Sequence, residues 1–385
     1  MFQLKEKLFN MLDELEQKYI NVWQTFSNIE SPTNCKEGVD KACGYLSDIA
    51  KELGFEVEVF EQPVSGNVVV IKMNSEINEK PICFSGHADT VHPIGSFGNP
   101  PVKTDGEKIY GPGVCDCKGG VVSSLYAMEV LSKCGYKKRP LMLLIQTDEE
   151  VGSSISNKAT INYICEKSKD AVAFLNMEGT RIPHICIERK GIVNFKFEIE
   201  GKEAHSSKCA TEGKNAILEA AYKLIEIEKI KDPNGITCCT SIIKGGTTFN
   251  TVPGTCEFNV NVRFSTTAQY EKIKQKMQEI ADKSFISDTK CTLTQSTFRT
   301  SMELCDKNVN LYNKVNEIFE KWELPQLPLE KHTGGSDAAD VTAFGIPCVD
   351  ALGVRGGNIH SPDEYALLDS LKESAKRITA IAWEL

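Results

Sequence analysis

No apolar run in this 385-residue sequence approaches the ~18 residues that a membrane span requires. No block of Lys and Arg stands out either: 44 basic residues face 53 acidic ones, for a net charge of −9. That balance excludes the basic patch of a nucleic-acid or membrane-surface binder, and the mild acidity serves solubility. The opening segment MFQLKEKLFNMLDELEQK lacks the layout of a secretory signal, so a cytoplasmic protein is expected. Regular cysteine spacing is also missing. Fifteen cysteines, an odd number, are scattered along the chain. With neither a framework of spacings nor an export signal, they read as mostly buried thiols in a reducing compartment rather than as disulfides. No internal repeat or low-complexity linker interrupts the chain.

What is present is the composition of a soluble globular protein, 41% hydrophobic and 25% charged, at a length suited to two domains. Leu4, Leu8, Leu12 and Leu15 recur at helical spacing, which predicts an amphipathic first helix. Helical patterns follow over 40–53 and 119–131. Short apolar runs at 68–71, 82–84, 141–145 and 171–175 predict buried strands between them. Alternation of this kind predicts an α/β layer fold on a largely parallel sheet. Near residue 190 the pattern changes. Phe195, Phe197 and Ile199 alternate with polar residues, as on a half-exposed strand. A helix (216–230), two strands (240–244 and 256–264), a second helix (270–281) and a last strand (291–298) complete a βαββαβ order, the ferredoxin-like layout. The expected organisation is therefore a discontinuous α/β catalytic domain, 1–189 with 300–385, interrupted by a small inserted domain at 190–299. Helices over 309–322 and 368–383 close the first.

Several apolar runs of the α/β part end in unusual polar residues. Phe84 is followed by Gly86-His87-Ala88-Asp89-Thr90, Ile145 by Thr147-Asp148-Glu149-Glu150, and Leu175 by Met177-Glu178-Gly179. Tyr110 is followed by a stretch containing VCDCKGG, with Asp116 between two cysteines. Ligand sites in open α/β sheets lie just outside the carboxyl ends of strands. Several ionised carboxylates converging there repel one another and are costly to desolvate, and a pair of divalent cations relieves both penalties. Imidazole plus carboxylate suits zinc, with manganese or cobalt as substitutes. His360, from the far end of the chain, is a candidate second imidazole. His87 and Asp89 lie two apart at a strand end, so the carboxylate can orient the imidazole. Glu149 and Glu150 are adjacent and diverge, so one can bind metal while the other stays free as a base. Each motif alone is weak, since His-x-Asp is often a turn and paired glutamates are often solvated surface. Their shared position after strand-like runs is the stronger signal.

Taken in order, Gly86-His87-Ala88-Asp89-Thr90-Val91, the segment Tyr110 to Gly120, Asp148-Glu149-Glu150-Val151-Gly152-Ser153 and Glu178 resemble the dinuclear zinc peptidase and deacylase family, over nearly the whole chain. Its members include glutamate carboxypeptidases, acetylornithine deacetylases, succinyl-diaminopimelate desuccinylases, aminoacylases and tripeptidases. The resemblance implies two zinc ions per subunit, one on His87 and Glu178, the other on Glu150 and His360, with Asp116 bridging. It implies that Asp89 steadies His87, that Glu149 is the general base, and that the Asp116–Cys117 peptide is cis. Cys117 stands where the family commonly has methionine, and Pro112 where it commonly has arginine. Both departures leave the ligand set whole. By the same resemblance the inserted domain is a lid and dimerisation domain. Its His205, in Gly201-Lys202-Glu203-Ala204-His205-Ser206-Ser207, would reach a partner subunit's site in a homodimer and help hold the oxyanion. Asn250 and Arg263 would contact substrate, Arg263 gripping a carboxylate; the other reading of Arg263 is an ordinary strand residue. Gly335 and Ser336, in Gly334-Gly335-Ser336-Asp337-Ala338, would approach the same carboxylate. His92 reads as a neighbour of the ligands or a surface residue, and His184 and His332 as structural.

The implied function is metal-dependent hydrolysis of an amide bond in a small peptide or N-acyl amino acid, of carboxypeptidase or deacylase type. Glu178 favours that subclass, since the family's aminopeptidases tend to have aspartate there. A dipeptidase or tripeptide aminopeptidase is the alternative within the family. A non-catalytic binding protein on this scaffold predicts a missing ligand or base, and none is missing. A cysteine hydrolase or redox enzyme using Cys115 or Cys117 predicts activity that survives chelation.

Overall fold

The computed structural model describes residues 2–232 and 235–385. The chain divides into two compact units: Met1–Ile187 with Leu304–Lys331 and Ser336–Leu385, and Glu188–Glu303 with His332–Gly335.

The first unit is built on a six-stranded sheet. Ile82–His87 lies at its heart, parallel to Leu141–Gln146 on one side and to Ala173–Asn176 on the other, and Cys348–Val349 adds a further parallel strand. Ile82–His87 and Leu141–Gln146 are buried throughout, as continuous apolar runs in a doubly covered sheet must be. The other edge departs from the largely parallel sheet expected. Val68–Met73 runs antiparallel to Leu141–Gln146, and Glu56–Phe60 antiparallel to Val68–Met73. The helix Gly119–Lys133 packs on the central strands and is itself covered by the first helix, Phe2–Asn28, and the last, Leu368–Glu384. Almost every residue of Gly119–Lys133 is buried, so it behaves as a core helix without a polar face. The first helix is longer than its leucine pattern suggests. It presents Leu8, Leu12, Tyr19, Val22, Trp23 and Phe26 inward, and Tyr19 stacks on Tyr126 with centroids 4.4 Å apart.

A small antiparallel sheet also belongs to this unit: Gly356–Gly357, Tyr365–Leu367, Lys108–Tyr110 and Lys103–Thr104, in that order. It pairs Gly357 with Tyr365 and Tyr365 with Tyr110. Segments some 250 residues apart in sequence thereby become neighbours.

The second unit is a four-stranded antiparallel sheet, in the order Thr237–Gly245, Thr255–Phe264, Gly191–Glu200, Lys290–Arg299. Helices Ala216–Glu228 and Thr267–Asp282 pack on it. Phe195, Phe197, Phe258, Val260, Tyr270 and Met277 form its core. Its span exceeds the 190–299 read from periodicity, for a backbone reason. Arg189 and Met302 exchange main-chain hydrogen bonds, and the amide of Lys190 donates to the carbonyl of His332. No helix among the described residues is long and apolar enough to cross a membrane. Most cysteines are buried, and among the fifteen only Cys209 and Cys239 are exposed.

Away from any ligand-bearing loop, Glu58 ties the antiparallel edge of the large sheet to the helix Ala159–Ser168. Burial works against its charge. Hydrogen bonds from Lys167, from Lys72 at 2.6 Å and from Tyr163 outweigh that and lower its pKa to about 2. A carboxyl whose pKa is lowered by folding stabilises the fold above its unfolded pKa, ~4.3, and loses that contribution as pH falls through the folded value. Partial exposure keeps the effect modest. The stability gap between the wild type and Glu58→Gln, measured by urea unfolding, is expected to be constant above about pH 5 and to shrink towards pH 2. A gap that widens on acidification would contradict this assignment.

Candidate metal centre and active site

Because Ile82–His87, Leu141–Gln146 and Ala173–Asn176 run parallel, their carboxyl ends fall on one side of the sheet. His87 is the last residue of the first, while Glu149 and Glu150 follow the second and Glu178 the third. Asp116 arrives from the irregular turn between Lys108–Tyr110 and Gly119–Lys133. His360 comes from the loop between Gly356–Gly357 and Tyr365–Leu367, which the small sheet holds beside that turn. Two glycines permit the close approach. Gly113 has φ +73°, in the left-handed region, where an added Cβ would also lie 2.7 Å from Thr90. A Cβ on Gly120 would lie 1.9 Å from the carbonyl oxygen of Met177, so only glycine lets the buried helix meet the strand end that carries Glu178.

The geometry centres on Asp116. Its Oδ1 lies 3.1 Å from Nε2 of His87, and its Oδ2 lies 3.2 Å from Nε2 of His360. Nε2 of His360 also stands 3.3 Å from Oε2 of Glu150, and Nε2 of His87 stands 3.9 Å from Oε1 of Glu178. Single ligand atoms from His87, Asp116 and Glu150 all fall within 4.8 Å of one another. His87 is 1% exposed and His360 54%, so the cluster opens to solvent on the His360 side. Asp89 is buried behind it. Nδ1 of His87 donates to the main-chain oxygen of Asp89 at 2.9 Å, which directs Nε2 at the cluster. The Asp89 carboxylate accepts the amide N–H groups of Glu149 and Glu150, each at 3.2 Å, and the Thr33 hydroxyl at 2.8 Å. One residue thus fixes both the His87 imidazole, through its carbonyl, and the turn bearing the two glutamates, through its carboxylate. The Asp116–Cys117 peptide is cis.

The donor set fits divalent cations. Burial, reinforced by the charge of Asp116, pushes Glu178 well above the ordinary carboxyl range. Burial raises Glu150 to about 7 against the pull of His360. Burial also opposes the charge on Asp116, yet hydrogen bonds from His360 and His87 hold it low. In return His360 rises to about 10 through Asp116 and Glu150, and His87 rises through Asp116 in spite of burial. All of these shifts have one origin, carboxylates withdrawn from water, and that is the charge divalent cations would neutralise. Oxygen and imidazole donors suit zinc and its first-row neighbours.

The two cysteines flanking Asp116 are buried. Burial, with Glu178 adding to it, pushes the Cys117 thiol well above its usual value; burial and then Glu364 do the same for Cys115. The Cys117 Sγ donates to the Met177 carbonyl at 3.0 Å. Sγ of Cys117 also lies with ligand atoms of His87 and Glu178 inside 4.8 Å of one another, at the edge of the cluster, but the upward shift of both thiols is the opposite of the lowered pKa of a nucleophile.

The remaining candidates divide between the units. Ser336 is fully buried. It caps the helix Asp337–Ala343, donates to Oδ2 of Asp350 at 2.8 Å and accepts from Asn176 at 2.8 Å. Gly335, His205, Asn250 and Arg263 belong to the second unit. There the loops of His205 and Asn250 run side by side, the amide of Ser206 donating to the Asn250 carbonyl at 2.8 Å, and both residues are exposed. Arg263 is half-buried, with Nη1 donating to the Thr333 carbonyl at 3.2 Å; with Lys190, Thr237, Thr333 and Gly334 it lines a cavity of about 340 Å³. Two residues escaped the reading of the sequence. Glu364 was not singled out at all, and His92 was left between a neighbour of the ligands and a surface residue. They are buried and paired, Nε2 to Oε2, at 2.6 Å.

Residues 83–384 match the family described as peptidase family M20/M25/M40. The chain belongs to that family of metallopeptidases, and its reaction is the metal-dependent hydrolysis of an amide bond. It is 27% identical over 368 residues to carboxypeptidase G2 of Pseudomonas sp. (strain RS-16), covering 92% of this chain and 86% of the relative. It is 26% identical over 377 residues to the succinyl-diaminopimelate desuccinylase of Rickettsia massiliae, covering 92% and 96%. Among solved structures, the aminopeptidase PepT of Bacillus cereus superposes with a TM-score of 0.80 at 20% identity, over 96% of this chain and 98% of that one, which establishes the shared fold.

Removing the Asp89 carboxylate strands the N–H groups of Glu149 and Glu150, while the Thr33 hydroxyl keeps the Thr90 carbonyl at 3.3 Å. Asp89→Ala is expected to destabilise the metal-free protein by about 1–3 kcal/mol for each buried donor left unpaired, as read from urea unfolding. Unchanged stability would show that water replaces the carboxylate there.

Proposed function

We propose that this protein is a dinuclear metalloenzyme that removes a C-terminal amino acid from a short peptide, or the acyl group from an N-acyl amino acid. His87 and Glu178 would hold one ion, Glu150 and His360 the other, and Asp116 both. The observation that carries this reading is the aim of Asp116: one oxygen towards His87, the other towards His360. A carboxylate so shared is the natural bridge for two cations. Zinc is the metal the donor types favour, with manganese or cobalt as substitutes.

Bound divalent ions would supply an acidified water and polarisation of the scissile carbonyl. The protein's own groups do the rest. Glu149, buried and held at its backbone by Asp89, accepts the proton of the attacking water and delivers it to the leaving nitrogen. Asp89 keeps the His87 ring in the orientation that presents Nε2. From the second unit of a partner subunit, His205 would donate to the developing oxyanion; Asn250 would contact the substrate, and Arg263 would grip its carboxylate as a planar fork. Gly335 allows backbone to approach that carboxylate. Ser336 acts from behind, its hydroxyl committed to Asp350 and Asn176. Glutamate rather than aspartate at position 178, and the likeness to a carboxypeptidase and a desuccinylase, favour this substrate class over free-amine peptides.

A homodimer joined through the second unit is part of the reading, in a cytoplasmic setting. Leu218, Tyr222 and Ile225 lie along one exposed stripe of Ala216–Glu228. Ile242 and Ile243 are exposed on Thr237–Gly245, the edge strand of the sheet. An apolar stripe beside an open strand edge is a surface that a second copy would cover.

The test combines metal analysis with a panel of dipeptides, folyl-type glutamates and N-acyl amino acids, reading the freed amine. Chelation is expected to abolish activity and added zinc, manganese or cobalt to restore it. Glu149→Gln is expected to keep its metal and lose about 10²–10⁴-fold in kcat; a fully active variant would remove Glu149 from the role of base. Release of N-terminal residues only would move the protein to the aminopeptidase side of its family. For the dimer, sedimentation should show twice the chain mass for the wild type and a monomer for Tyr222→Asp combined with Ile225→Asp. A monomeric wild type would rule out the shared site.

A further inference from the structure

Glu364 and His92 lie outside the ligand set, yet the loop that carries Asp116 is fastened to them. Val114–Lys118 is one wide, distorted turn, closed by the Lys118 amide on the Gly113 carbonyl at 2.9 Å and broken inside, where Asp116 has φ −116° and ψ 90° and Cys117 φ −128° and ψ 21°. Its inner amide groups therefore need partners that no regular structure supplies. A single carboxylate provides them. Oε1 of Glu364 accepts the N–H of Cys115 at 2.9 Å and of Asp116 at 3.0 Å. Oε2 accepts the N–H of Gly113 at 3.3 Å and meets Nε2 of His92 at 2.6 Å. Three backbone N–H groups therefore converge on one carboxyl group, whose two oxygens accept them all. Glu364 is 0% and His92 6% exposed, and the His92 ring is braced edge-on by Phe97 with centroids 4.9 Å apart. Glu364 also sits in the loop of His360, four residues on, next to the strand Tyr365–Leu367 that pairs with Lys108–Tyr110. One side chain thus binds the His360 loop to the Asp116 loop.

We propose that Glu364, with His92 behind it, is the positioning residue for Asp116. It sets the aim of that carboxylate at both imidazoles and keeps the two ligand-bearing loops in register. The proposal rests on the reading of Asp116 as the ligand common to both ions. Glutamine has the shape of glutamate, but its NH2 would face an N–H or the His92 ring instead of accepting from them. The Asp116 loop would then relax, and both ions would be held less well.

The experiment uses the full-length protein stripped of metal. Zinc affinity at both sites is measured by competition with a chromophoric chelator, alongside the melting temperature of the metal-free protein, for wild type, Asp116→Ala, Glu364→Gln and His92→Gln. Glu364→Gln is expected to weaken zinc at both sites by about 10–100-fold, the usual effect of removing a group that orients a ligand, and His92→Gln to weaken both by less. A merely structural role would lower the melting temperature and leave the zinc constants where they were; that result overturns the proposal. Asp116→Ala separates the two layers. Should it leave one zinc bound as tightly as in wild type, the shared-ligand reading fails and takes this proposal with it. Should it weaken both while folded Glu364→Gln weakens neither, only the positioning role falls. If Glu364→Gln does not fold, His92→Gln decides: weaker zinc at both sites sustains the role and unchanged zinc ends it.

Discussion

Negative charge withdrawn from water is the constraint on which this structure turns. Asp116, Glu150 and Glu178 meet at the carboxyl ends of the parallel strands of a mixed sheet, mostly buried, with Asp89 enclosed behind them. Carboxylates cannot remain ionised together in such a place without positive charge nearby. Burial pushes the pKa of Glu178 and Glu150 up, and the neighbouring carboxylates push those of His87 and His360 up, so each group is shifted towards its protonated form. Divalent ions answer the same demand with higher charge and a fixed geometry. The surrounding architecture serves to keep those acids from moving apart.

That architecture works in two tiers. The parallel strands deliver His87, Glu149, Glu150 and Glu178 by topology alone, since their ends must fall on one side. Asp116 and His360 have no such guarantee, because both lie in loops. They are brought together by the small antiparallel sheet that pairs Tyr365 with Tyr110, and by the Glu364 carboxylate that gathers the amides of the Asp116 turn. The glycines at 113 and 120 remove the side chains that would otherwise hold these layers apart. A cluster built this way is enclosed where His87 is buried and open where His360 faces solvent.

Most of the α/β unit could be read from sequence because buried strands leave short apolar runs, and the ligand motifs follow those runs directly. The antiparallel edge could not. Val68 to Ile71 is as apolar as its parallel neighbours, and a continuous apolar run carries no sign of strand direction. The short helix Ala159–Ser168 was missed because Thr160, Ile161 and Ile164 are β-branched and blur its period. Glu364 was invisible for a different reason. Asp363 beside it is also an acid and is exposed, and only the tertiary pairing of the small sheet decides which of the two turns inward. Ser336 shows the converse. Its motif is legible from its glycines, but the burial of its hydroxyl against Asp350 depends on a contact that sequence spacing does not reveal.

The central claim is that Asp116 is shared by two metal ions at these strand ends. Diffraction from zinc-loaded crystals, recorded on both sides of the zinc absorption edge, tests it most directly. The account predicts two anomalous peaks per chain, one on either side of the Asp116 carboxylate, the first against His87 and Glu178 and the second against Glu150 and His360. A single peak, or two peaks that leave Asp116 uncoordinated, would contradict it.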